Sequence, residues 1–238
     1  MRMPAGDCRW GRAYARNLQQ HAPRSPAGND GAFCFLGAPS VVGSQRELNM
    51  KDPIDIDWST MPAPIDDGRA SHLTGQRVPS IELNSTDGDT VDLSRLAGRV
   101  VIYAYPRKKL PDEPPPDGWL LIPGAPGCTL QSSAFRNHAA EIKAAGASYI
   151  FGLSTQDTPY QRGAVERLHL PYPLLSDEHL SLVKALSLPT FTAAGMTLLR
   201  RMTLVIKDGV IEHVFYPVFP PDQNAAEVLG WLETHCDN

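Results

Sequence analysis

The chain has 238 residues, 42% hydrophobic and 20% charged, which suits a globular protein with a buried core. Its net charge of −4 gives no global electrostatic case for nucleic acid or an anionic membrane, and no apolar run is long enough for a membrane helix. Four scattered cysteines (Cys8, Cys34, Cys128 and Cys236) form no C-x-x-C pair and no zinc-like spacing, so no metal or cofactor is expected.

Residues 1 to about 49 hold six arginines, no lysine and three acidic residues, with no sustained helical or strand period. Such a composition fits a targeting extension. It equally fits a disordered tail, or a start called too early with Met50 as the true start, and these plainer readings are preferred. Nothing at the start resembles a secretory signal, so a reducing, cytoplasmic setting with free thiols is the default. Residues 1–70 are therefore expected as an irregular or disordered extension, with one domain over 71–238.

In chain order, Ile81–Leu83 and Val91–Leu93 flank a turn containing Asp87-Gly88, a hairpin pattern. Arg99–Tyr105 is a β-rich apolar run that predicts a buried central strand. A Pro-rich loop over 107–126 follows, of a length uncommon unless functional. The pattern then predicts a helix from Cys128 to about Ala145, stopped by Gly146. Next come a strand over Tyr149–Leu153 and a helix over Pro159–Leu168, with the proline near its first turn. A short helix over Asp177–Leu186 is expected before a second hairpin, Arg201–Ile206 with Val210–Phe215. A last helix capped by Asp222 runs to about His235. This order predicts an α/β, thioredoxin-like fold: a central mixed sheet flanked by helices, with an N-terminal hairpin and an inserted Pro-rich loop.

Cys128 stands at the first turn of a predicted helix, where free N–H groups and the helix dipole stabilise an anion. The thiolate is the nucleophilic form of cysteine and the one that peroxide oxidises to sulfenic acid. On position alone, a small buried apolar cysteine is an equal reading.

The segment Pro126-Gly127-Cys128-Thr129-x-Gln131, followed by Ala134-Phe135-Arg136, resembles the active-site helix of peroxiredoxins, most of all the Q-type, or bacterioferritin-comigratory-protein, branch. Tyr103-Ala-Tyr105-Pro106 resembles that family's strand ending in Tyr-Pro. Arg201-Met-Thr203-Leu-Val-Ile206-Lys-Asp-Gly209 is similar to its Arg-x-Thr strand. The resemblance spans roughly Leu73 to Leu232. It implies a thiol-dependent peroxidase in which Cys128 is the peroxidatic thiol and Arg201 assists it. Gln131 would hold that arginine, and Pro106 would shield the thiol, with Pro123 competing for the role. Two positions depart from the pattern. Ala125 stands where the family carries a hydroxyl that bonds the peroxide, and Ser133 stands where Q-type members often carry a resolving cysteine. The resemblance thus implies a one-cysteine enzyme regenerated by an external thiol such as thioredoxin or glutaredoxin, as a monomer or homodimer; Cys236 remains a candidate resolving thiol. The alternative is a redox-sensing or thiol-binding module with little turnover. His138 is expected as a surface residue, and Trp119 as a plug that seats the inserted loop, with coverage of the site as the other option.

Overall fold

The structure, a computed structural model, describes residues 57–109 and 113–235. The leader of the first 49 residues, with Cys8 and Cys34, and the C-terminal Cys236 lie outside the described residues. The compact unit holding everything described starts at Ile54. Residues 57–70, expected as part of an irregular extension, belong to that unit: their backbone is largely irregular, but Trp58–Thr60 form a 3₁₀ turn capped by the Asp57 carboxylate.

The elements are β1 (Glu82–Ser85), β2 (Thr90–Asp92), β3 (Arg99–Ala104), α1 (Cys128–Asn137), α2 (Ala139–Ala144), β4 (Ala147–Ser154), α3 (Thr158–Leu168), β5 (Leu174–Ser176), α4 (Ser181–Leu186), β6 (Thr190–Ala193), β7 (Met196–Leu199), β8 (Met202–Lys207), β9 (Val210–Phe215) and α5 (Asn224–Thr234). Seven strands form one mixed sheet in the order β2-β1-β5-β4-β3-β8-β9, while β6 and β7 make a separate hairpin. β3, β4 and β5 run parallel, and β8 and β9 complete the sheet antiparallel.

β3 is buried throughout, and apolar after its first residue Arg99, because both of its faces are covered. Val100, Ile102 and Ala104 enter one core cluster with Leu83, Leu182 and Leu186. Val101 and Tyr103, with Tyr105 just beyond the strand, enter the other, with Cys128, Phe135, Ile142, Val228 and Leu232. The two-residue strand period thus assigns alternate side chains to two helical layers.

Several expectations need correction. The helix expected over 128–145 is two helices, interrupted at His138 (ψ 6°). Phe135, Ala139 and Ile142 keep one buried face across the break, which is why the pattern reads as a single helix. Gly146 follows as expected, with φ +105°. The helix expected from Asp177 begins only at Ser181, because Leu180 is left-handed (φ +57°). Asp177 instead caps it from outside, accepting from the N–H groups of Ser181, Leu182 and Val183 at 2.7, 3.2 and 2.8 Å. Asp222 does not cap α5, which has no side-chain cap at Gln223. Its carboxylate accepts from Trp58 Nε1 at 3.0 Å, tying the lead-in to the domain. β5 and the β6–β7 hairpin were not expected, being only three or four residues per strand.

Candidate active site

Gly127, immediately before α1, has φ +97°, so the chain turns sharply into the helix. A Cβ there would lie 2.8 Å from Trp58 Cη2 and would overlap Pro221 Cγ. Glycine is therefore required twice over, by backbone angle and by space. The turn places Cys128 as the first helical residue, buried and lining a cleft of about 350 Å³.

Arg201 reaches this sulfur from the chain just before β8. Its Nη2 donates to Cys128 Sγ at 3.2 Å and to the carbonyls of Ala125 and Pro126 at 3.1 and 2.9 Å. Nε donates to Gly124 O at 3.3 Å, and Nη1 donates to Gln131 Oε1 at 2.5 Å. The guanidinium is only 3% exposed, yet almost every edge of its fork has an acceptor. The Cys128 thiol has a second contact, donating to Ala125 O at 3.6 Å. The arginine charge and the free N–H groups of α1 both put positive potential against the sulfur, which stabilises an anion there.

Gln131 lies one turn along α1 and is fully buried. Its Nε2 donates to Asn224 Oδ1 at 3.0 Å, and Thr203 Oγ1 donates to the same oxygen at 2.7 Å. A buried chain of Thr203, Asn224 and Gln131 therefore fixes the oxygen that orients Arg201. Cys128, Gln131 and Arg201 are thus brought together as a unit. Asn224 escaped the sequence reading; a polar residue in the first turn of an otherwise apolar helix face was its only signal.

Pro106 is buried just past the end of β3, but the prolines that line the Cys128 cleft are Pro115, Pro116 and Pro126. Pro123 lines a separate crevice against Arg200 and Arg201. The inserted loop supplies much of the cleft wall, with Trp119 and Leu120 beside Pro115 and Pro116. Trp119 also packs against Phe191, with ring centroids 6.3 Å apart, so it both seats the loop and walls the site. His138 lies away from the sulfur and pairs with Glu141 at 2.5 Å.

Two further residues were given no role at the site by the sequence. Lys108 is 2% exposed, lines the cleft, and lies over the Tyr105 ring at 3.2 Å. Tyr103, stacked on Phe135 at 4.4 Å, donates to Ser132 Oγ at 2.9 Å. Burial pushes its phenol above the ordinary tyrosine range, so it stays protonated.

The Redoxin family model matches residues 73–229 of the chain. The chain is 34% identical over 162 residues to "Peroxiredoxin Q, chloroplastic" of Populus jackii, covering 67% of this chain and 68% of that protein. It is 32% identical over 161 residues to the protein of the same name from Arabidopsis thaliana, covering 67% and 66%. Among solved structures it is similar to peroxidoxin BcpB of Mycobacterium tuberculosis, with a TM-score of 0.56, 28% identity, and coverage of 68% of this chain and 97% of that one. Peroxiredoxin Q of Xanthomonas campestris shares the fold, with a TM-score of 0.54, 20% identity, and coverage of 74% and 99%. The curated relatives overturn the cytoplasmic expectation: they are chloroplastic proteins.

Proposed function

Because the chain belongs to the peroxiredoxins, on their Q-type branch within the thioredoxin-like superfamily, we propose that it works as a thiol-dependent peroxidase of the one-cysteine kind centred on Cys128. The thiol-dependent peroxidase activity itself follows from the family. The observation that carries its assignment to Cys128 is the 3.2 Å contact of the Arg201 guanidinium with Sγ at the start of α1.

In this reading the Cys128 thiolate attacks the terminal oxygen of the peroxide. The S–O bond forms as the O–O bond breaks, leaving Cys–SOH and, after protonation, water or an alcohol. Arg201 holds the anionic sulfur and the oxygen approaching it. Gln131 positions Arg201, with Asn224 and Thr203 behind it. The apolar cleft wall of Trp119, Leu120, Met61 and prolines suits an organic hydroperoxide as well as hydrogen peroxide.

Ser133 supports the one-cysteine form, and Cys128 is the only cysteine among the described residues. An external thiol then returns Cys–SOH to the thiol in two steps, through a mixed disulfide. The peroxiredoxin names of the relatives give no support to the binding-module alternative.

The test is mass spectrometry of the full chain after one equivalent of peroxide. A trapped sulfenic acid on Cys128, and turnover only with an added thiol, are expected. An internal disulfide between Cys128 and Cys236 would overturn the one-cysteine cycle.

A further inference from the structure

Lys108 has no part in the chemistry above, yet it lines the same cleft as Cys128. Its Nζ is buried and has no hydrogen-bond partner among the described residues. The amine lies 3.2 Å from the centroid of the Tyr105 ring and 5.9 Å from that of Tyr103, two rings in the same apolar cluster as Cys128. Its backbone is clamped by Gln156, whose Oε1 accepts from the Lys108 N–H and whose Nε2 donates to the Lys108 carbonyl, both at 2.8 Å. Clamping the backbone on both sides holds the side chain inward. An amine kept out of water without a hydrogen-bond partner is costly, and a bound ligand's oxygen would supply that partner.

The cleft wall also lacks one hydroxyl of the family pattern. Residue 125, where peroxiredoxins carry the peroxide-binding hydroxyl, is a buried alanine that lines this wall. We propose that Lys108 Nζ is the donor that replaces it, hydrogen-bonding the bound peroxide and protonating the oxygen that leaves. The inference rests on the peroxidase reading of Cys128.

The step balances as follows. The Cys128 sulfur is oxidised by two electrons as it takes the terminal HO group, and the peroxide is reduced. The electron pair of the O–O bond passes to the leaving oxygen, which takes a proton from the Lys108 ammonium and departs as ROH, or as water from hydrogen peroxide. The Lys108 amine recovers its proton from solvent.

The charged and titratable groups facing Nζ are Cys128 of α1, Arg201 before β8, Arg167 of α3, and Tyr103 and Tyr105 of β3 and its end. Burial holds Lys108 well below the ordinary lysine range, the Cys128 charge draws it up, and Arg201 and Arg167 push it further down. An ammonium so placed gives up a proton readily.

Lys108→Met removes the amine while keeping an unbranched apolar stem, so the fold is retained; Lys108→Arg keeps a donor that does not release its proton. The readout is the stopped-flow rate of peroxide reduction by the full chain, across pH and across hydroperoxides whose leaving alcohols differ in acidity. A loss of about 100-fold is expected in Lys108→Met. The fall in rate that Lys108 imposes as pH rises through its lowered value should vanish in both variants, and the rate in Lys108→Met should depend more steeply on leaving-alcohol acidity. A Lys108→Met rate within about twofold of the parent, or a loss with the falling limb of the pH profile and the leaving-group slope unchanged, overturns the proposal. Failure of the underlying reading is distinct: peroxide reduction would then survive Cys128→Ser.

Discussion

Replacing Arg201 with methionine tests how much the site depends on one side chain. The substitution keeps an unbranched stem but removes the donor 3.2 Å from Cys128 Sγ. Loss of one preorganised donor at a reacting centre slows the chemical step by about 10²–10³-fold. The same change strips donors from the carbonyls of Gly124, Ala125 and Pro126 and from Gln131 Oε1. Such bonds contribute about 1 kcal/mol each, and water entering the cleft recovers part of that, so stability should fall by about 2–4 kcal/mol. Denaturant unfolding measures the second quantity, and single-turnover stopped-flow on the folded protein measures the first. Arg201→Lys should fall between, losing about tenfold, because an ammonium keeps the charge but cannot span the fork of acceptors. An Arg201→Met protein that is destabilised but reacts within about threefold of the parent would refute the reasoning, since Arg201 would then be structural only.

Gly127→Ala should destabilise the fold by about 1–3 kcal/mol, because the residue sits at φ +97° against Trp58 and Pro221; thermal denaturation reads this, and an unchanged melting temperature would contradict it. Asp177→Ala should cost about 1–2 kcal/mol in denaturant unfolding, as three N–H groups at the start of α4 lose their acceptor. Lys108→Met should stabilise the protein in a pH-dependent way. Burial lowers the folded-state pKa of Lys108, so the unfolded chain binds more protons and parent stability rises as pH climbs from that lowered value to the ordinary lysine value. The advantage of methionine should therefore be greatest at low pH and vanish above the ordinary value; a gain independent of pH would contradict the burial of the charge.

The sheet and the catalytic helix were legible because their signals are local. The apolar run over residues 100–104 of β3 reports burial on both faces, and the Gly-Cys step before an amphipathic segment marks the start of α1. Cys128, Gln131 and Arg201 came from the resemblance to peroxiredoxin motifs, and the fold brings them within hydrogen-bond distance although 73 residues separate the sulfur from the guanidinium. The remainder depends on contacts made across the chain. β5 has three residues and pairs with β4 and β1, so nothing in its own composition announces it. Asp177 and Asp222 both look like helix caps; one caps from four residues upstream and the other is taken by Trp58. Lys108 reads in sequence as one of three basic residues in a loop, Arg107 to Lys109, and only the fold shows that the middle one turns inward. Pro106 was chosen by motif, whereas two of the three prolines at the cleft, Pro115 and Pro116, come from the inserted loop.

The most direct test of the central claim is the stopped-flow reaction of the reduced full chain with hydrogen peroxide and with an organic hydroperoxide, beside Cys128→Ser. Peroxide loss far faster than with a free thiol, and absent in Cys128→Ser, is the predicted result. Equal rates in the two proteins, or a rate no better than that of a free thiol, would contradict the assignment of Cys128 as the peroxidatic residue.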